Sequence, residues 1–209
     1  ALLNDPEIPG DSTVYTAPGL AANGMPGTSP DAGGVFDRQN TAFYADVEYA
    51  MGDALLLQFA ARSEDFSDFG ATSNIKVAGR YSFGDLATLR GGYSTGFRAP
   101  TPGQSNYTGI VTSFDGPTGM QVQEGTVRPT DQLAIDLGGA PLVPEEATNT
   151  SFGFTSSPID NLSLTFDLYT IDIVNKIIKS RSLAVENNPE FKKLAFYTNA
   201  LDTKTSGYD

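Results

Sequence analysis

From Thr41 to Met51 every second residue is apolar or small, namely Phe43, Ala45, Val47, Tyr49 and Met51, while Tyr44, Asp46 and Glu48 fall between them. That is the period of two of a strand, not the 3.6 of a helix. The same alternation returns in Leu55–Ala61, Ile75–Phe83 and Leu89–Phe97, with Gln58, Arg62, Lys76, Arg80, Arg90 and Arg98 on the opposite phase. Gly52-Asp53 and Gly84-Asp85 read as tight hairpin turns, and a short break is expected over 65–70. Farther along, Phe152 and Phe154 mark a strand over about 147–157. Pro158–Asn161 reads as a turn, and Leu162, Leu164, Phe166 and Leu168 open the next strand. At Tyr169 the apolar phase moves to Tyr169, Ile171 and Ile173, a slip that predicts a β-bulge. Asn188-Pro189-Glu190 predicts a capped helical turn running to Leu194. A last strand is expected from near Phe196.

The resulting plan has four strands over 41–98 and three over 147–209, the latter interrupted by a loop at 175–195. Residues 1–40 and 99–146 are expected to be long loops. Strands of ten to thirteen residues exceed the 5–6 typical of soluble sheets. Connections alternate between short turns and longer loops, and Tyr49, Tyr81 and Phe83 sit beside the turns while Phe43 and Phe97 sit at the opposite ends. These are the marks of an all-β, antiparallel transmembrane β-barrel segment of about seven long strands. Short turns would face the periplasm and long loops the outside, and the barrel would be incomplete.

Composition narrows the chemistry. The 209 residues contain neither cysteine nor histidine, which excludes disulfides, thiolate metal sites and Ser-His-Asp catalysis. A net charge of −12 argues against a nucleic-acid partner. Residues 1–40 carry a net −4 and residues 99–146 a net −5, whereas 51–100 balance five acids with five bases. The acid surplus thus belongs to the Gly- and Pro-rich loops. No apolar run reaches the length of a transmembrane helix, which leaves a barrel open because its strands are apolar on one face only. The opening Ala1-Leu2-Leu3-Asn4-Asp5-Pro6 shows neither a signal-peptide pattern nor an initiator methionine, so a piece of a longer protein is expected.

Particular residue runs narrow it further. Ser67-Asp68-Phe69-Gly70 followed by Asn74-Ile75-Lys76 and Gly79-Arg80-Tyr81 resembles a stretch of TonB-dependent outer-membrane receptors. Leu89-Arg90-Gly91-Gly92-Tyr93-Ser94-Thr95-Gly96-Phe97-Arg98-Ala99-Pro100 is similar to that family's most distinctive barrel segment. Leu142-Val143-Pro144-Glu145-Glu146-Ala147-Thr148-Asn149 resembles the L-x-P-E-x-x-x-N lead-in to the following strand. Ile159–Asp172, Thr198-Asn199-Ala200 and Thr205-Ser206-Gly207 continue the likeness, which covers about 41–209. The resemblance implies a section of a 22-stranded barrel of the bacterial outer membrane, surrounding an N-terminal plug that this chain does not show. It further implies partners: outer-membrane lipid, the receptor's own plug, TonB with its proton-driven inner-membrane complex, and a transported small solute.

Candidate residues fall into two groups. Asp46, Glu48, Arg62, Lys76, Arg80, Arg90 and Asp167 lie opposite the apolar stripe. They would face the lumen or plug, or simply form cross-strand pairs on a hydrated wall. Arg98, at the loop end of its strand, and Tyr107, Phe114, Asp115 and Arg128 in the 99–146 loop are candidate ligand contacts; Arg98 is equally placed to anchor that loop. Met120 belongs to the same sparse surface. Glu145-Glu146 and the other loop acids would suit Ca²⁺ as hard oxygen ligands, but their spacing is that of ordinary surface charge and no metal or cofactor is expected. Paired carboxylates also occur in glycosidases, yet any acidic β-rich chain offers them, and no catalytic residue is assigned. The function expected is energised uptake of a scarce, bulky solute of siderophore, cobalamin or oligosaccharide type. Alternatives are a passive porin or a secreted β-sandwich binding or adhesion module.

Overall fold

The computed structural model describes residues 34–209 apart from 115, 116, 118, 120, 160, 187, 189 and 190, with the side chains of 113 and 121 also set aside. Most of residues 1–40, the expected first loop, and Asp115 and Met120 therefore lie outside the described residues. The chain divides into two compact units.

The first unit, Arg38–Ala99 with Val143–Ile177 and Asn199–Asp209, holds the long strands. In chain order these are β1 (Asn40–Met51), β2 (Leu55–Phe66), β3 (Gly70–Phe83), β4 (Ala87–Arg98), β7 (Glu145–Ile159), β8 (Leu162–Lys179) and β11 (Tyr197–Tyr208), whose outer ends run a little beyond the unit. They form one seven-stranded sheet in the order β1-β2-β3-β4-β7-β8-β11. The neighbours from β1 through β8 pair antiparallel. The sheet is open: β1 and β11 are its edges. Gly52 and Gly84 each take a φ of 58°, the left-handed conformation that lets β1–β2 and β3–β4 reverse over three residues.

Register carries the two-faced pattern from strand to strand. Val47, Phe59, Val77, Tyr93, Thr150 and Thr170 stand in one row, and Tyr49, Leu57, Gly79, Gly91, Phe152 and Leu168 in the next on the same face. The large apolar side chains of this face are exposed; Phe43 retains 76% of its accessible surface and Leu164 53%. A soluble sheet would bury such a face.

Several local expectations are corrected. The 65–70 break is three residues long, because Glu64, Asp65 and Phe66 continue the ladder opposite Thr72, Ala71 and Gly70. Polar residues at a strand end read as loop, yet here they pair. No bulge occurs at Tyr169: β8 stays in unbroken register with β7 from Val174 to Leu164, and the irregularity falls between Ser156 and Ile159. The phase slip has a geometric origin instead. On β1 the apolar band reaches Phe43, four residues beyond the Val47–Thr170 row, whereas on β8 it stops at Leu168, two residues short of that row. Six residues over five strand spacings is about 20 Å along the strand for about 24 Å across the sheet, an inclination of about 40° between strands and band normal. Closed barrels tilt their strands by about 35–45°. Past Leu168, Thr170 and Asp172 continue the outer phase above the band.

The second unit contains residues 100–142 and 178–198. Both stretches were expected as loops, and both carry structure. Residues 100–142 contain α1 (Pro102–Asn106), β5 (Gly109–Phe114), β6 (Gln121–Thr126) and α2 (Gln132–Asp136). A capping box starts α1: Thr101 accepts from the Gln104 backbone N–H at 3.1 Å, and the Gln104 side chain accepts from the Thr101 N–H at 3.0 Å. In the other stretch β8 continues to Lys179, and β9 (Leu183–Ala184) and β10 (Phe191–Ala195) follow. The expected helical turn to Leu194 is thus a strand. Asn188 does accept from the Phe191 N–H at 2.9 Å as a cap would. Residues 191–195 nevertheless gain ladder partners on both sides, parallel to β6 and antiparallel to β9. This second sheet, ordered β5-β6-β10-β9, carries a small core of Val127, Ala134, Leu194 and Phe196.

Candidate functional site

Asp46, Glu48, Arg62, Lys76, Arg80, Arg90 and Asp167 all share the parity opposite the apolar band, so the ladder brings them onto one face of the long sheet. Four of the seven are internally neutralised or bonded through this face. Arg62 pairs with Glu64 at 2.7 Å, and Asn40 donates to the same carboxylate at 3.0 Å. Arg90 reaches across β7 to Asp167, with Nε to Oδ1 at 3.1 Å, and also donates to Thr155 at 3.0 Å. Asp46 accepts weakly from Gln58, at 3.3 Å or more. Lys76 and Arg80 make no ion pair with any described residue. They line a hollow of about 320 Å³ together with Gln58, Gly92, Ser151 and Asp167.

The Arg90–Asp167 contact depends on Gly153. Arg90, Gly153 and Asp167 occupy one register row on three successive strands. A β-carbon at 153 would overlap Asp167 Oδ1 and lie 2.5 Å from Arg90 Nε. Glycine is the residue over which this pair can close.

At the loop end of the sheet the strand termini are clasped together. Arg98 and Glu145 are direct partners across β4 and β7, bonded in a bidentate fork with Nε to Oε2 at 2.8 Å. Glu145 is buried and also accepts from the Ile177 backbone N–H at 2.7 Å. Beside it, Asn199 accepts from the Val143 N–H at 2.9 Å, donates back to the Val143 carbonyl at 2.9 Å and donates to the Asn175 carbonyl at 2.6 Å. Asn175 itself is left-handed, with φ at 57°. An amide side chain carries both an acceptor and donors, so Asn199 can imitate a strand's backbone toward Val143. Arg98 therefore has its guanidinium engaged by Glu145. At the β2–β3 hairpin, Arg38 forms a fork with Asp68 and lies 5.1 Å from the Phe69 ring centre, which stacks on Phe66.

Among the other candidates, Tyr107 ends α1 and is exposed, and Phe114 ends β5 and is exposed. Arg128 follows β6, with its backbone N–H donating to Asp131 at 3.1 Å and its guanidinium 5.5 Å from the Phe36 ring centre. Asp115 lies outside the described residues. Glu64, Glu145, Gly153 and Asn199 were not singled out from sequence for these roles. Glu145 and Asn199 did stand inside the quoted motifs, and Gly153 interrupts the aromatic pair Phe152 and Phe154. Among the described residues no three Asp or Glu side chains group as a metal site, and no helix is long and apolar enough to cross a membrane.

Residues 5–209 match the family described as "TonB dependent receptor-like, beta-barrel". No curated protein matches the chain by sequence. Among solved structures, the siderophore receptor PirA from Pseudomonas aeruginosa aligns with a TM-score of 0.61 at 19% identity, covering 82% of this chain and 30% of that one. PirA from Acinetobacter baumannii gives 0.57 at 16% identity, covering 82% and 25%. The ferric enterobactin receptor PfeA from Pseudomonas aeruginosa, as its Q482A mutant in complex with enterobactin, gives 0.61 at 14% identity, covering 82% and 24%. At such identities the likeness establishes the fold, and the chain spans less than a third of each of those proteins.

Proposed function

Because this chain belongs to the TonB-dependent receptor β-barrel family of the bacterial outer membrane, we propose that it is the section of an uptake receptor that supplies seven wall strands and two structured loops. The family is one of receptors and transporters, and the solute we assign is of siderophore type. The observation that carries this reading is the two-faced sheet. Its exposed apolar band suits lipid, and its opposite face carries Asp46, Glu48, Arg62, Lys76, Arg80, Arg90 and Asp167. The siderophore assignment draws on the PirA and PfeA neighbours.

In this reading the strands form part of a barrel around the receptor's own plug. Arg98 holds the root of the loop, and Tyr107, Phe114, Asp115 and Arg128 contact the solute. TonB and its proton-driven complex energise release through parts of the receptor beyond this chain. The test is uptake of radiolabelled ferric siderophores by iron-starved cells that carry the full-length receptor in place of their own. Uptake that is lost on deleting TonB is the expected result. Equal permeation of small solutes with and without TonB would establish a passive porin instead.

A further inference from the structure

One ladder of the long sheet stops short. β3 pairs with β2 as far as Gly70, and β4 pairs with β7 as far as Arg98. Between β3 and β4, however, pairing runs only from Phe83↔Ala87 to Lys76↔Ser94. Residues 70–75 and 95–98 continue as strand edges that face each other without a ladder. The Ile75 N–H meets the Thr95 hydroxyl at 3.0 Å, where a continued antiparallel ladder would offer a carbonyl. A β-carbon at Gly92, inside the ladder, would lie 3.7 Å from that of Ala78, whereas one at Gly96, beyond it, would meet nothing within 4 Å. Farther out, rings span the seam: the Phe97 ring centre lies 5.6 Å from that of Phe66 and 6.5 Å from that of Phe69. The break has a definite height. On β3 the apolar band ends at Ile75, beside the last pair, and Ser73 and Ala71 follow on the same phase. Within lipid every backbone N–H and carbonyl must be paired, and above it water can serve instead. Both flanking ladders run on past this height, so the break is not a general fraying of strand ends.

We propose that this seam is an expansion joint, at which the β2–β3 hairpin parts from β4 and widens the outer rim of the wall as a solute enters. The Lys76–Ser94 pair is the hinge, and the Thr95 hydroxyl is the latch. The proposal rests on the uptake reading above and adds a moving part of the wall to it. Backbone bonds hold neighbouring strands at a fixed spacing, so a laddered rim widens only where such bonds break. The β1–β2, β2–β3, β4–β7 and β7–β8 seams would each have to give up a run of ladder bonds. The outer β3–β4 seam gives up one bond to a hydroxyl and a ring contact. Each side is also braced within itself. Arg38 forks onto Asp68 beside the stacked Phe66 and Phe69, and Arg98 forks onto Glu145, so the two sides can separate as units.

Amide exchange in the full-length receptor tests the seam, and a disulfide across it tests the motion. The Ser73 and Phe97 amides should exchange at least about tenfold faster than those of Thr72 and Arg98, which are laddered to Glu64 and Glu145. This chain has no cysteine, so Asn74→Cys/Gly96→Cys places a thiol pair across the seam and Ser82→Cys/Thr88→Cys places one within the ladder. The Ser82 and Thr88 hydroxyls already stand 3.2 Å apart, so under mild oxidant the ladder pair should close about tenfold faster than the seam pair. Once closed, the seam disulfide should abolish TonB-dependent uptake of a radiolabelled ferric siderophore, and a reductant should restore it. The ladder disulfide should leave uptake unchanged. Heat-modifiable gel migration confirms that each variant barrel has folded, and the exchange measurement needs no variant. Equal protection of Ser73 and Thr72, or equal closure of the two thiol pairs, means a continuous ladder and overturns the seam. Uptake unchanged by the seam disulfide, or lost equally with the ladder disulfide, overturns the widening; either result leaves the receptor reading standing. Absence of TonB-dependent uptake by the unsubstituted receptor would overturn that reading and the proposal with it.

Discussion

Gly153 shows how a missing side chain can hold a charge pair together. Arg90 and Asp167 belong to strands that are not neighbours, and any β-carbon on the intervening strand stands where their fork closes. In most strand interiors Gly→Ala is favourable because glycine has more backbone freedom to lose. Here the sign reverses: Gly153→Ala should destabilise the intact receptor by about 1–2 kcal/mol. The same change in an Arg90→Ala/Asp167→Ala background should be neutral or stabilising. Urea titration of the folded band on gels measures both, and an equal cost in the two backgrounds would refute the coupling. Asn199 works in the opposite way, by what it adds. Its amide satisfies the Val143 N–H and carbonyl and the Asn175 carbonyl where no strand is available to do so. Buried or half-buried backbone groups left unpaired cost about 1–3 kcal/mol. Asn199→Ala should therefore speed amide exchange at Val143 while leaving Ile177, bonded to Glu145, protected. Asn199→Asp keeps the acceptor and loses the donors, so it should protect the Val143 N–H only in part.

The strands were legible in the sequence because period two survives wherever one face meets an apolar surrounding and the other does not. What the alternation could not convey is where the band lies on each strand, since that depends on register with partners up to 69 residues away. Tyr169 is the instructive case. Read alone, Leu162–Leu168 followed by Tyr169–Ile173 looks like a change of phase in the backbone. Placed in register, the backbone is continuous and the band has simply ended. The inclination of about 40° makes a depth prediction. Nitroxide labels at Phe43 and Leu168 in the reconstituted receptor should both report the same outer boundary of the bilayer, although they lie six residues apart in register. A label at Thr170 should be distinctly more accessible to a water-soluble relaxing agent than one at Leu168. Equal burial of positions 168 and 170 would restore the bulge and remove the tilt argument. The clasp was harder to see: Arg98, Glu145 and Asn199 were visible as members of motifs, but the fork and the backbone mimicry need the strand ends side by side.

The loops fared least well from sequence, for a physical reason. Residues 100–142 are Gly- and Pro-rich, residues 178–198 are rich in charge but hold no glycine, and neither contains enough apolar residues to bury a core alone. They fold by pooling them. Val127 and Ala134 come from one stretch, Leu194 and Phe196 from the other, and the parallel β6–β10 ladder with the Val127 N–H to Ala195 carbonyl bond of 3.0 Å joins the two. Such long-range pairing leaves no local signature, and it overrode the helical start that Asn188 announces. It also makes the two loops one cooperative body. Leu194 is fully buried, and truncating a buried leucine costs about 2–5 kcal/mol. Leu194→Ala should accordingly raise amide exchange in β5 and β6, although both lie more than sixty residues away in sequence, while exchange in β2 and β3 stays unchanged. If exchange rises only over 183–198, the loops are independent flaps, and each would have to close on a solute separately. If it rises in both, Tyr107, Phe114 and Arg128 are carried on a surface whose order depends on the second loop. Substitutions at Leu194 should then weaken solute capture without touching any residue proposed above to contact the solute. Binding of a ferric siderophore to cells bearing the Leu194→Ala receptor, compared with binding to Leu194→Ile, would measure that dependence, with the isoleucine variant close to wild type because it conserves the buried volume.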